Sequence, residues 1–140
     1  MQRMLKNDNV FIACLLSIIM LPVFLQGTSF QLDNFNPDEQ TVDVRYDFDE
    51  GDVAGFQFDV TGLALSGASG GTAGDVGFSV SAGSSTVLGF SFTGALIPTG
   101  SGLLTTLSYS EISSEQACIN STIATVPGGG SEYSSDGGDC

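Results

Sequence analysis

Histidine and tryptophan are absent from this 140-residue chain, and basic side chains number three against sixteen acidic ones. Each shortage excludes a class of function. Without histidine there is no imidazole to act as acid, base or metal ligand. With a formal net charge of −13 and pI near 4.1, the chain lacks the Lys and Arg that release counterions from a phosphate backbone, so nucleic-acid binding is excluded. Ser-His-Asp chemistry fails for want of His. Its Ser-Lys variants fail as well, because Lys6 is the only lysine and precedes an apolar leader. Charged residues are only 14%, while hydrophobic residues reach 41%, with ten Phe and nineteen Gly. An acidic disordered tail would have few aromatics. This balance describes one small globular domain with glycine-rich turns.

The apolar run is short. Arg3 and Lys6 precede sixteen residues from Val10 to Leu25, interrupted by Pro22 and followed by Gly27, Thr28 and Ser29. A spanning helix needs about 20 apolar residues. A basic start, a short apolar centre and small residues at its end form the layout of a secretory signal peptide, with cleavage expected after Gly27 or Ser29. Residues 1–29 are therefore assigned to the signal, and the rest to a secreted, extracellular or cell-surface chain. Cleavage leaves Arg45 as the only base against fifteen acids, a charge of −14. Such a charge favours solubility and opposes docking to an anionic membrane.

Three cysteines are present, and Cys14 leaves with the signal. Cys118 and Cys140 are then expected to form a disulfide in an oxidising compartment. The alternatives are a link from Cys140 to another molecule, or two free thiols.

From Gln31 the hydrophobic pattern has period two. Val42, Val44, Tyr46 and Phe48 alternate with Asp43, Arg45 and Asp47, and Phe56, Phe58 and Val60 alternate with Gln57 and Asp59. Further strands are expected around Phe78 and Val80, from Thr86 to Phe92, and from Leu103 to Tyr109. A final strand is expected from Cys118 to Val126, carrying Ile119 and Ile123. Phe56, Phe58, Val60, Leu88, Phe90 and Phe92 are expected to point into one interior, and Leu103, Thr105, Leu107 and Tyr109 to share one stripe. No segment sustains a helical period, and Gly67–Gly71 is expected to be loop. That loop lacks the following helix and the lysine a phosphate cradle needs. The pattern specifies an all-β fold: an antiparallel β-sandwich of about seven to nine strands over residues 30–126. Residues 127–140 form a Gly/Ser/Asp-rich tail, expected to be mobile.

The stretch Asp49-Glu50-Gly51-Asp52-Val53-Ala54-Gly55-Phe56-Gln57-Phe58-Asp59-Val60 resembles the cohesin motif in which a loop enters a Gly-aromatic-x-aromatic strand. Val87-Leu88-Gly89-Phe90-Ser91-Phe92 is similar to the mid-domain cohesin strand, and Pro98 to Leu107 to its late Gly-apolar entry. The resemblance covers about Gln31 to Val126. It implies a jelly-roll sandwich, shared with carbohydrate-binding-module relatives, and a non-catalytic role attaching to a dockerin-like protein partner. A carbohydrate-binding module that binds polysaccharide is the alternative, followed by a structural subunit of an extracellular assembly.

Four further readings complete the sequence picture. Asp47, Asp49 and Asp52 lie on and beside a turn, so a Ca²⁺ site is one reading and a solvated acidic edge the other. Otherwise no cofactor is implied. Carboxylate pairs suit glycoside hydrolysis, but acids are too common here for pairs to be informative, and no insertion builds a cleft, so no enzyme is expected. Sugar platforms need exposed aromatics. Tyr46 and Tyr109 fall on apolar stripes, which leaves Tyr133 alone. Asn120-Ser121-Thr122 is an N-glycosylation sequon.

Overall fold

The computed structural model describes residues 27–138 and 140. The signal assigned to residues 1–29 thus lies outside the described residues except for its last three. Of these, Thr28 and Ser29 begin the first strand, so only cleavage no later than Gly27 leaves that strand whole. The described chain is mostly β. Nine strands form in the order β1 (Thr28–Asn36), β2 (Thr41–Phe48), β3 (Gly55–Thr61), β4 (Leu63–Ser69), β5 (Ser79–Ala82), β6 (Thr86–Phe90), β7 (Gly100–Ile112), β8 (Cys118–Thr125) and β9 (Ser135–Asp136). A short helix, α1 (Gly71–Asp75), lies between β4 and β5. One sheet has the order β4-β7-β2-β1-β9 and the other β5-β6-β3-β8. All pairings are antiparallel except β1 with β9, which is parallel.

Alternation of side chains assigns the faces of β2 and β3. Val42, Val44, Tyr46 and Phe48 on β2 and Phe56, Phe58 and Val60 on β3 are all buried. A strand with period-two hydrophobicity can hide that whole set only by turning one face inward. Phe30 from β1 sits at the centre, with its ring 5.6 Å from Phe48, 6.2 Å from Phe56 and 5.3 Å from Phe58. Burying each such ring contributes about 2–3 kcal/mol.

Three expectations about the strands are corrected. First, Leu88, Phe90 and Phe92 do not enter the core. β6 pairs with β3 so that Val87 faces Phe58 and Gly89 faces Phe56. Val87 is fully buried, whereas Leu88 is 41% and Phe92 85% exposed. The interior takes the smaller residues because a side chain at Gly89 would overlap the Phe56 ring. Second, the β7 stripe breaks at a bulge. Val44 pairs with Thr105 but Arg45 pairs with Leu103, so Leu104 is extra and turns inward with Thr105, both fully buried. Third, the Gly-rich segment expected to be loop contains strand and helix. β4 runs to Ser69, and α1 follows with Ala73 buried. Gly71, at φ 69°, packs where any side chain would overlap the Leu104 backbone.

The C-terminal segment is not a loose tail. After a turn of three glycines with positive φ, Gly128 to Gly130, Tyr133 N–H donates to the Ala124 carbonyl at 2.8 Å. The Tyr133 hydroxyl donates to the Asp52 carbonyl at 2.8 Å. Two residues later β9 pairs with β1, Thr28 opposite Ser135 and Ser29 opposite Asp136. The segment thus crosses from an edge of one sheet to an edge of the other. A disulfide between Cys118 and Cys140, with Cα atoms 4.7 Å apart, fastens its end to the start of β8.

Candidate functional site

The outer face of the β5-β6-β3-β8 sheet carries what the core leaves out. Gln57 on β3 is flanked by Leu88 on β6 and by Ile123 on β8. One row further, Gly55 lies between Phe90 and Thr125. With no side chain at Gly55, these neighbours wall a shallow hollow of about 240 Å³, lined mainly by Gln57, Leu88, Phe90, Ile123 and Thr125. Large apolar side chains on an outward sheet face are the informative kind of exposure, because scattered single ones are ordinary.

Two local devices build this strip. The first is the register of β6, which sends Leu88 and Phe90 outward so that Gly89 can admit the Phe56 ring. The second is a bulge in β8. Asp59 pairs with Asn120 and Gln57 with Ile123, so β8 has one residue too many between these pairs. Ser121 within that stretch has φ 52°. The extra residue reverses the alternation. Ile119 therefore points inward, whereas Ile123, four positions later, points out beside Leu88. Beyond β6, the Ser91 hydroxyl accepts from the backbone N–H groups of Thr93 at 3.1 Å and Ala95 at 3.0 Å. That turn holds Phe92 out, with its ring edge-on to Phe90 at 4.8 Å.

The other end of the same face is polar. Thr86 donates to the Asp59 carboxylate at 2.7 Å, and Asn120 stands exposed opposite Asp59. The sequon residue is thus at the surface, while the Thr122 hydroxyl shares a 2.8 Å hydrogen bond with Ser135.

The carboxylates read as a possible calcium turn do different things. Asp47 lies on the outer face of β2, between Ser29 and Ser101 of the neighbouring strands. Asp49 accepts from the Gly27 N–H at 3.4 Å. Asp52 accepts from the Thr99 N–H at 2.8 Å and from its hydroxyl at 2.9 Å. Those two bonds, the backbone one first, hold the Asp52 carboxyl below its ordinary value. Among the described residues, no group of three or more Cys, Asp or Glu gathers closely enough to hold a metal ion.

Tyr46 and Tyr109 are buried as expected. Tyr133 is half-buried over Gly51, and its hydroxyl is occupied by Asp52. A second exposed aromatic, Phe35, lies stacked on Tyr109 at 5.2 Å and caps one end of the core. No helix among the described residues is long and apolar enough to cross a membrane.

Period-two alternation marks two faces of a strand and does not say which is inside, so the outward strip is not legible in β6 alone. Gly55 and Gly89 were the available signals: a glycine beside a large ring marks a face with room on it. No protein-family model, curated protein or solved structure matches this chain.

Proposed function

We propose that this chain is an exported, non-catalytic binding or assembly module of cohesin-like jelly-roll type, which attaches to a protein partner through the outer face of its four-stranded sheet. The observation that carries this reading is the run of Leu88, Phe90, Phe92 and Ile123 on a face pointing to solvent, where folding alone would place polar residues. An apolar sheet face of this sort loses its hydration penalty when a partner covers it. Export is supported by the leader layout in the sequence, and the Cys118–Cys140 disulfide suits an oxidising compartment.

The test is a pull-down from the native secretome with the secreted protein as bait, run beside two variants. Leu88→Asp alters the apolar face, and Arg45→Ser alters the outer face of the other sheet. Capture of a partner by the wild type and by Arg45→Ser, with loss in Leu88→Asp, supports the reading. Equal capture by all three overturns it.

A further inference from the structure

We infer that the partner segment seated on this face presents a bulky apolar side chain next to a lysine or arginine. This rests on the proposed binding role of the face and adds the chemistry of what binds there.

The apolar hollow over Gly55 does not stand alone. A second hollow of about 340 Å³ adjoins it, lined by Thr125, Gly130, Ser131 and Glu132. Thr125 lines both hollows. Thr125 and Glu132 form an antiparallel bridge, and residues directly opposite in such a pair project to the same side. The exposed Glu132 carboxylate therefore stands on the outer face beside the rim of the apolar hollow. The glycine turn Gly128–Gly130 fixes it there, closed by the hydrogen bond from Val126 N–H to the Ser131 carbonyl at 3.1 Å.

Charge selects the occupant. Among the described residues Arg45 is the only base, and it lies on β2 in the other sheet. No cation of this surface answers Glu132. A second copy of the chain suits the face poorly, since each mature copy carries fifteen acids against one base and repels the other. Nucleic acid and anionic lipid are repelled on the same ground. A glycan would need several free polar groups along the floor. The apolar hollow offers Gln57 and Thr125, and the Thr125 hydroxyl already donates to the Gly55 carbonyl at 3.2 Å. A protein segment with Leu, Phe or Trp for the first hollow and Lys or Arg for the second satisfies both at once, and the long-range field of the chain would speed its approach.

The experiment uses the full chain, secreted and processed, with immobilised peptides as probes. Each peptide has a central Leu, Phe or Trp flanked by Lys, by Ser or by Glu. The wild type should bind Lys-flanked peptides best and Glu-flanked ones least, with the Lys advantage shrinking as salt is raised. Leu88→Asp should lose all three classes. Glu132→Gln should keep the Ser-flanked binding and narrow the Lys advantage about two- to fivefold, the effect of an exposed ion pair. Equal binding of the three flanks, no binding of Lys-flanked peptides, or an unchanged flank preference in Glu132→Gln overturns this inference. So does binding to a glycan array without peptide binding. If the native partner still requires Leu88 while flanking charge makes no difference, only the charge selection falls. If the partner is captured equally by Leu88→Asp, the binding role of the face falls with it.

Discussion

Phe56 and Gly89 face each other across β3 and β6, and the ring fills the volume a side chain at Gly89 would need. The absence of a single Cβ therefore decides which face of β6 is interior. A Gly89→Val substitution should be among the most damaging single changes in the protein, at the upper end of or beyond the roughly 1–3 kcal/mol typical of overpacking. Urea unfolding of the variant against wild type checks it. A stability within about 0.5 kcal/mol of wild type would contradict the packing, since that is the range of a neutral surface change.

Two phenylalanines, Phe58 on β3 and Phe92 in the turn after β6, should behave in opposite ways. Phe58 is fully buried and Phe92 is 85% exposed. Phe58→Ala should cost about 3–5 kcal/mol, the range for truncating a core Phe, and Phe92→Ala should stay within about 0.5 kcal/mol of wild type. Equal losses in denaturant titrations would mean that both faces of the sheet are covered in the free protein.

Thr28 has its hydroxyl oxygen buried without a hydrogen-bond partner. An orphaned polar group of this kind costs about 1–3 kcal/mol. Thr28→Val keeps the shape and removes the orphan, so in a chain cut no later than Gly27 the variant should be more stable than wild type by about 1 kcal/mol. Thermal unfolding reads this directly, and a lowered midpoint would show that the hydroxyl is satisfied in solution.

Reduction of the Cys118–Cys140 bond should release the segment that joins the two sheet edges. The cysteines are 22 positions apart, and closing a loop of that size contributes about 3 kcal/mol in the chain-entropy model. The melting temperature should fall by roughly 10 °C or more. The amides of Tyr133 and Ser135 should then exchange with solvent well before those of β2 and β7. Unchanged protection at these two amides would mean that the segment holds without its covalent end.

Asp52 should titrate below the ordinary carboxylate value of 3.8, because the N–H and hydroxyl of Thr99 favour its charged form. A depressed folded-state pKa adds stability that is present above the unfolded value and is lost as pH falls through the folded one. The Asp52→Asn variant should therefore lose part of the acid sensitivity below pH 4. Carboxyl NMR titration of the wild type gives the midpoint, and a value at or above 3.8 would refute the assignment.

The legible part of the fold was that in which alternation runs without interruption. The buried sets on β2 and β3, Tyr46 included, follow from period two alone, as does Tyr109 on the part of β7 beyond its bulge. What escaped reading depends on events that insert a residue or invert a face. The extra Leu104 in β7 and the extra residue near Ser121 in β8 each shift the alternation by one, and no local composition announces them. In β6 the more hydrophobic stripe, Leu88-x-Phe90, lies outside because the opposing strand had already filled the interior with Phe56. That is a tertiary constraint with no trace in β6 itself. The C-terminal segment escaped because Gly, Ser and Asp are the composition of a flexible tail. Its order comes from Tyr133 and from pairing with an edge more than a hundred residues away. The adjacency of Thr125 and Glu132 was hidden by the same turn glycines.

The covalent link at the base of β8 also determines how the module would carry a mechanical load. A pull applied ahead of Phe30 enters β1. A pull applied at Cys140 passes through the sulfur bridge into Cys118 and on along the backbone toward β7, without tensioning the chain between the two cysteines. β8, Glu132, Tyr133 and the strand Ser135–Asp136 all lie inside that shielded loop. Under traction between β1 and Cys140, the force would fall on β1, β2 and β7, and the rim of the outer sheet face would keep its shape.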